Sequence, residues 1–515
     1  MSRIRWILLL LALMFVAAPL RAEEAKAFNL AFHGDMNHRF MLYSNHLDWF
    51  KGQRPGALHD GNVEDTYADI KYRLWTEAST SDGKVKGVYA IEMGGLRYGA
   101  SGSLGKGTGG TYSGDSVNIE TRWAYVDFQI PGVSNQSRVK IGLQPYKLNS
   151  RLWNQTILAV NYTEKIGFLQ YQLAWLRPHD VLNPNNEVLN TDDIDFFSAR
   201  YDLNLFNNDV NKKFKAALFG LYGFNDDAGD KGPTAEEPGV IESSKYQVKK
   251  FPKETGLRLW CVGTDGSISM PMALPGLGNV KLFSSWDTIF QFGKIKNAMF
   301  YDNVINPEKN VQTIIVKDKT GAPKSINYHS KGDFDIYAFT SHLSAGVEMG
   351  PAKVTYTGWY TSGDRDDTDD KFNGYMAIDM DAEDSIVLFE GNYADDVIFT
   401  NAHYLLNKGF IMNKLAIDYQ VTDILKVGVA GLYMRTSKSM EYNDPISKEL
   451  YSVRNIGYEA DTYAKIKLYQ SLEFAINGGY LFSGNAMDVF EEHNIRNGVA
   501  DEDIYIITSR VRYKF

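Results

Sequence analysis

Between Ala68 and Ala78 every second residue is apolar: Ala68, Ile70, Tyr72 and Leu74 share one side, and Asp69, Lys71, Arg73, Trp75 and Glu77 the other. A period of two belongs to an extended strand with two unlike faces. The pattern recurs at Val85, Tyr89, Ile91 and Met93 against Lys84, Lys86 and Glu92, and at Ala124, Val126 and Phe128 against Arg122, Asp127 and Gln129. It recurs again at Val139, Ile141 and Leu143 against Arg138, Lys140 and Gln144, and at Ala460, Ala464, Ile466 and Leu468 against Glu459, Asp461, Lys465 and Lys467. A chain built this way is all-β. Either it folds as a sandwich with one wet face, or it closes into a barrel with lipid outside and charge inside.

Three features favour the barrel. Aromatic residues recur at segment ends, among them Trp123, Tyr125, Trp175, Phe197, Trp260, Trp286, Tyr356, Trp359 and Tyr433, as expected of girdles at two membrane interfaces. Connections alternate between short turns (Ser81-Asp82-Gly83, Pro131-Gly132-Val133, Gly350-Pro351-Ala352, Thr422-Asp423) and long polar stretches (95–118, 225–254, 293–333, 363–400). Short periplasmic turns and long external loops produce such an asymmetry. The final strand places Tyr505, Ile507, Ser509, Val511 and Tyr513 on one face, with Thr508, Arg510, Arg512 and Lys514 on the other, and closes on Phe515. Such an ending, with Tyr513 and Phe515, resembles the sorting signature of Gram-negative outer-membrane proteins, and that resemblance implies a barrel-assembly signal read by the outer-membrane assembly machinery.

Seventeen strand-like segments begin near 28, 67, 84, 121, 137, 167, 194, 213, 255, 279, 334, 352, 411, 425, 456, 472 and 503. An up-and-down barrel needs an even number. If the link Asn207 to Lys212 is a short-side turn, one more strand must precede residue 167, and Thr156–Tyr162, ahead of Glu164-Lys165, supplies it. The expectation is a transmembrane antiparallel up-and-down β-barrel of 18 strands, with 16 as the alternative. Such a width leaves a water-filled channel.

The N-terminus sets the compartment. Arg3 and Arg5 precede the apolar run Ile7 to Val16, and small residues lead to Ala22, which predicts an export signal over 1–22 and one barrel domain over 23–515. Removing Arg3, Arg5 and Arg21 takes the formal charge from −9 to −12. An acidic chain lacks the basic footprint of a nucleic-acid binder. The single cysteine, Cys261, excludes an internal disulfide or a four-cysteine zinc site.

Charges near the centre of a strand must face inward, because lipid exposure of Lys or Arg costs about 2–4 kcal/mol at mid-membrane. That assigns Lys71, Arg73, Arg122, Arg138, Lys140, Arg258, Arg510 and Arg512 to a lumen wall that leans basic. A loop over Pro145–Asn154, carrying Tyr146, Lys147, Arg151 and Trp153, is the candidate pore constriction, opposed by Glu120 and Asp127. Segment 361–396 is rich in acid. Its Asp364, Asp366, Asp367, Asp369 and Asp370 offer oxygen ligands for Ca²⁺ or Mg²⁺, though the spacing lacks the Gly and bidentate Glu of an EF-hand, and a solvated external loop is the favoured reading. Gly105, Gly107 and Gly110 match a dinucleotide fingerprint by chance in a Gly/Ser-rich loop, and no catalytic constellation assembles. The chain is expected not to be an enzyme.

Arg122-Trp123-Ala124-Tyr125-Val126-Asp127-Phe128 and Val139-Lys140-Ile141-Gly142-Leu143-Gln144-Pro145-Tyr146 resemble early porin strands. Trp359-Tyr360-Thr361-Ser362-Gly363-Asp364, leading into an Asp-rich loop, is similar to porins of sulfate-reducing deltaproteobacteria, and Phe515 agrees. The resemblance implies an outer-membrane homotrimer, embedded among lipopolysaccharide and outer-membrane lipids, that passes small hydrophilic solutes and ions passively. A channel selective for small anions such as sulfate or carboxylates is the alternative.

Overall fold

A computed structural model describes residues 28–44, 64–98, 119–133, 136–178, 194–206, 212–224, 239–242, 256–275, 278–301, 312–317, 323–328, 330–365, 369–380, 382–389, 408–443, 450–487 and 503–515. The export signal expected over 1–22 lies outside these residues.

Eighteen strands form one closed sheet. They are β1 Phe28–Ser44, β2 Glu64–Thr80, β3 Val85–Arg97, β4 Glu120–Gln129, β5 Ser137–Asn149, β6 Trp153–Ile166, β7 Leu169–Arg177, β8 Asp195–Leu205 and β9 Lys213–Phe224. The second half comprises β10 Gly256–Leu274, β11 Gly278–Tyr301, β12 Ser330–Met349, β13 Ala352–Thr361, β14 Ile411–Gln420, β15 Leu425–Asn443, β16 Leu450–Lys467, β17 Leu472–Ser483 and β18 Ile504–Lys514. Each strand pairs antiparallel with the next, and β1 pairs with β18 over Asp35↔Lys514 to Ser44↔Tyr505. Closure leaves the wall no edge, so every ladder position can find a partner inside a membrane without water.

The turns β2–β3, β4–β5, β6–β7, β8–β9, β10–β11, β12–β13, β14–β15 and β16–β17 lie at one end, together with Phe28 and Phe515. The long connections lie at the other. The strand count and the alternation of connections agree with the sequence reading. The inserted strand over Thr156–Tyr162 is real and belongs to β6, but its turn is Gly167-Phe168, one step later than Glu164-Lys165, where Gly167 supplies φ 62°.

Alternation decides what each face meets. Leu218, Val262, Leu343, Leu415 and Val429 stand outward and half or more exposed, as a wall designed for hydrocarbon requires. Phe197, Tyr222, Trp260 and Phe292, from four successive strands, form a stacked outer tier with Tyr222 and Trp260 4.1 Å apart and Trp260 and Phe292 6.3 Å apart. Trp123, Tyr125 and Trp359 do not belong to the girdles. Trp123 packs edge-on against Trp75 at 5.5 Å, Lys140 sits over Tyr125, and Trp359 is buried. Trp123 and Tyr125 share the inner face with Asp127 by plain alternation, and a bulge, in which Ala90 pairs with Trp123 but Ile91 with Thr121, makes Arg122 an extra residue that reaches the lumen beside them. Arg258 corrects the other way. Leu257, Leu259 and Cys261 are buried on the inner face, so Arg258 shares the exposed outer side of Trp260 and Val262.

The apolar core sits inside the barrel. Leu257, Leu259, Ile289, Ile295, Ile336, Trp359, Leu481, Ile504 and Ile506 of the inner wall are buried with Tyr375, Met376, Ile378, Met380 and Ile386 to Phe389 of the β13–β14 connection. This overturns the expectation of a solvated external loop for 361–396: its described residues from Phe372 to Phe389 fold into the lumen. The acidic residues dominate its composition, but the apolar ones between them find an inner wall that strand periodicity cannot reveal.

Candidate functional site: the lumen septum

Two connections meet in the barrel interior. The first is the β5–β6 tip. Pro145 to Asn149 continue β5, so the connection is only residues 150–152 and not a loop over the whole of Pro145–Asn154. Arg151 donates its backbone N–H to Asn149 Oδ1 at 2.7 Å, and Leu152 donates to the Asn149 carbonyl at 3.2 Å, which tightens the turn. Asn149 Nδ2 reaches Asp265 and Asp287, opposed residues on β10 and β11, at 2.9 and 3.0 Å. Leu148, Leu152 and Trp153 are buried, Trp153 packs on Phe196 at 4.9 Å, and the Tyr146 hydroxyl pairs with Ser198 at 2.6 Å. Anchors on β8, β10 and β11 show that the tip turns inward across the lumen.

The second is the β13–β14 connection. Its neck is tied by Thr361 N–H to the Phe410 carbonyl at 2.7 Å and by Phe410 N–H to Thr361 Oγ1 at 2.7 Å. From there Tyr375 donates to the Arg151 carbonyl at 2.8 Å, Ile378 and Asp379 donate to the Leu152 carbonyl, and Asn154 donates to the Asp379 carbonyl at 3.0 Å. Gln291 on β11 holds Met376 from both sides, its Nε2 donating to the carbonyl and its Oε1 accepting from the N–H. Glu459 on β16 accepts from Ser385 Oγ, Ile386 N–H and Val387 N–H at 2.6, 2.8 and 3.0 Å.

Arg151 and Asp384 join the two. Arg151 Nη2 lies 2.6 Å from Asp384 Oδ2, with the guanidinium 4.1 Å over the Trp359 ring, and His342 Nε2 lies 3.1 Å from Asp384 Oδ1. Burial alone would push the Asp384 carboxyl up; Arg151 and His342 outweigh it and hold the group below the usual carboxylate range. Lys414 Nζ donates to the Asp384 carbonyl at 2.6 Å.

Toward the short-turn end the lumen is lined by charge. Glu92 faces Lys71 at 3.6 Å, Arg122 at 3.6 Å and Arg73, one acid among three cations. Arg39 pairs with Asp69 at 2.6 Å, Arg138 with Asp127 at 2.7 Å, and Glu473 with Lys465 and Arg510 at 2.6 and 3.1 Å. Arg512 is bound to Asp35, which also draws Lys514. Arg73 lies over Trp123, and His33 stacks on Trp75 at 5.1 Å.

Of the residues expected at a constriction, Tyr146 and Arg151 enter the septum. Lys147 stands exposed on the outer side of β5, and Glu120 is exposed at the start of β4. Asp127 is held by Arg138, whose Nη1 donates to the Gly83 carbonyl in a short-side turn, far from the tip. The acid facing Arg151 is Asp384, which no spacing within β4 or β5 could identify. Among the metal candidates, Asp364 is buried, Asp369 accepts from Lys371 N–H at 2.9 Å, and the Asp370 carbonyl accepts from Asp335 N–H at 2.8 Å. Asp366 and Asp367 lie outside the described residues, and among the described residues no group of three metal-ligating side chains forms.

No family model matches the sequence, and no curated protein matches it. Solved structures do resemble the fold. Pseudomonas aeruginosa OccK9 (OpdG) is 11 % identical with a TM-score of 0.48, over 95 % of this chain and 98 % of that one. Pseudomonas aeruginosa OpdK, solved with vanillate, is 10 % identical with a TM-score of 0.47, over 94 % and 98 %. Pseudomonas aeruginosa OprD is 11 % identical with a TM-score of 0.47, over 96 % and 97 %.

Proposed function

We propose that this chain is an outer-membrane porin, a passive channel for small hydrophilic solutes and ions. The observation that carries the reading is the inversion of polarity across a closed wall: apolar side chains such as Leu218 and Leu415 stand exposed outside, while Lys71, Arg73, Glu92 and Arg122 gather inside. A lumen lined by charge holds water, and the septum of the β5–β6 tip and the β13–β14 connection narrows it. On this reading residues 1–22 direct export, Tyr513 and Phe515 present the last strand to the assembly machinery, and the mature barrel works as a homotrimer among lipopolysaccharide.

A second reading, preference for small anions such as sulfate or carboxylates, is favoured by Glu92 being outnumbered by Lys71, Arg73 and Arg122. Planar-bilayer recording under a salt gradient tests both. Stepwise conductance supports the channel and three-step closure the trimer, while the sign of the reversal potential reports the preference. Absence of conductance from correctly folded protein would defeat the first reading, and cation selectivity the second.

A further inference from the structure

Glu459 and Asp461 follow one another on the inner face of β16, 2 % and 4 % exposed. Glu459 holds the inward connection through three donors, with Ser385 Oγ on Oε2 and the Ile386 and Val387 N–H groups on Oε1. Leu388 N–H closes the turn onto Ser385 Oγ at 2.9 Å. Asp461 is placed differently. Neither of its oxygens has a donor, and its hydrogen-bonding neighbour is Glu459, itself an acceptor. The Ile386 N–H lies near it as well but donates to Glu459 at 2.8 Å.

Register closes the other routes. Asp461 pairs with Ala430 on β15 and Gly479 on β17, and the row continues to Ala416 on β14 and Ile506 on β18. These four residues carry no side-chain donor. Tyr463, next on the same face, gives its hydroxyl to Asp418 at 3.1 Å. Lys414 reaches the row of Glu459 through Leu432, and its Nζ donates to the Asp384 carbonyl at 2.6 Å. Asp384 is matched by Arg151 and His342, and Arg510, four positions beyond Ile506 on β18, by Glu473. Lys414 therefore stands as one cation near two buried carboxyls.

Two bare carboxylates repel one another in a buried site. A single proton turns the repulsion into a hydrogen bond, one carboxyl donating its O–H to the other. Three donors already favour the anion at Glu459, so the proton belongs on Asp461.

We infer that Glu459 and Asp461 hold one proton between them, Asp461 donating to Glu459, and that this proton is a latch keeping the inward connection against β16. Alkali passes the proton to hydroxide and leaves two adjacent carboxylates with no donor between them. The segment Ser385 to Leu388 then leaves the wall, and the septum widens. The widening rests on the channel reading; the latch does not.

Purified protein taken from pH 8 to pH 11 tests the two separately. Wild type should show severalfold faster cleavage by subtilisin within 362–410 and a rise in single-channel conductance. Asp461→Asn keeps a neutral donor toward Glu459 and should hold both readouts level, although Lys414 and the tyrosines titrate in it as before. The infrared spectrum of wild type at pH 8 should carry the carbonyl stretch of a protonated carboxyl, absent from Asp461→Asn and lost from wild type in alkali. Alkali-dependent cleavage in a protein that never conducts would defeat the channel reading and support the latch. An Asp461→Asn protein cleaved in alkali as fast as wild type, or a wild type without the carboxyl band, would overturn the inference.

Discussion

Arg151 Nη2 meets Asp384 Oδ2 at 2.6 Å across 233 positions of sequence, tying the β5–β6 tip to the β13–β14 connection inside the barrel. Both side chains are largely shielded, so the pair acts with little screening.

Arg151→Ala should loosen the septum. Removing one partner strands the other in a buried place, a loss on the order of 3 kcal/mol. The expected outcome is a larger and noisier single-channel conductance with a lower thermal midpoint. Conductance equal to wild type would remove this pair from the narrowest passage.

The same contact sets an acid response. Because the Asp384 carboxyl is held low in the fold, its contribution is complete above the unfolded carboxylate value of about 4 and is lost as pH falls below it. Septum stability, read by proteolysis of the inward connection, should be level from pH 8 to 5 and fall only in stronger acid.

Selectivity should answer to the cluster around Glu92. Glu92→Gln leaves Lys71, Arg73 and Arg122 without their shared acid and should move the reversal potential further toward anions. Lys71→Gln combined with Arg73→Gln should move it the other way. Reversal potentials that ignore both changes would place the filter elsewhere.

The neck of the inward connection depends on Gly409, at φ +71°, where a Cβ would meet Ser437 Oγ at 2.1 Å and the Thr361 carbonyl at 2.5 Å. Gly409→Ala should cost roughly 1–3 kcal/mol and expose the connection to protease while leaving the barrel's circular dichroism intact.

The outward face can be checked by a matched pair. Leu218, 68 % exposed at the centre of β9, should tolerate arginine poorly, slowing insertion into vesicles at a penalty of about 2–4 kcal/mol. Ser267→Arg on the inner face of β10 should insert normally.

Much of this barrel was readable because strand periodicity is local. Parity demanded a strand near Thr156, and it is there in β6. The inner positions of Lys71, Arg73, Arg138, Lys140, Arg510 and Arg512 followed from the same alternation. What escaped was whatever depends on a break in the period or on distant chain. Arg122 faces inward only through the bulge between Thr121 and Trp123, and Arg258 faces outward because the inner face of β10 is apolar under the inward connection. That connection has no periodicity of its own. Its aspartates suggest water, whereas Phe372, Tyr375, Met376 and Ile378 lie in one buried cluster with Leu257, Ile289, Ile336 and Trp359 of the wall.

The seam between β1 and β18 carries one last consequence. Gly34 and Phe515 exchange backbone hydrogen bonds at 3.0 and 3.2 Å, and Arg512 binds Asp35 at a separation of 477 residues. The first and last of the described strands therefore complete each other's ladders. Until they meet, both carry open ladders able to pair with any passing strand, and loop closure over nearly the whole chain is slow. The seam is thus the closure with the greatest chain-entropy cost in the wall, unlike the hairpins, which join strands a few residues apart.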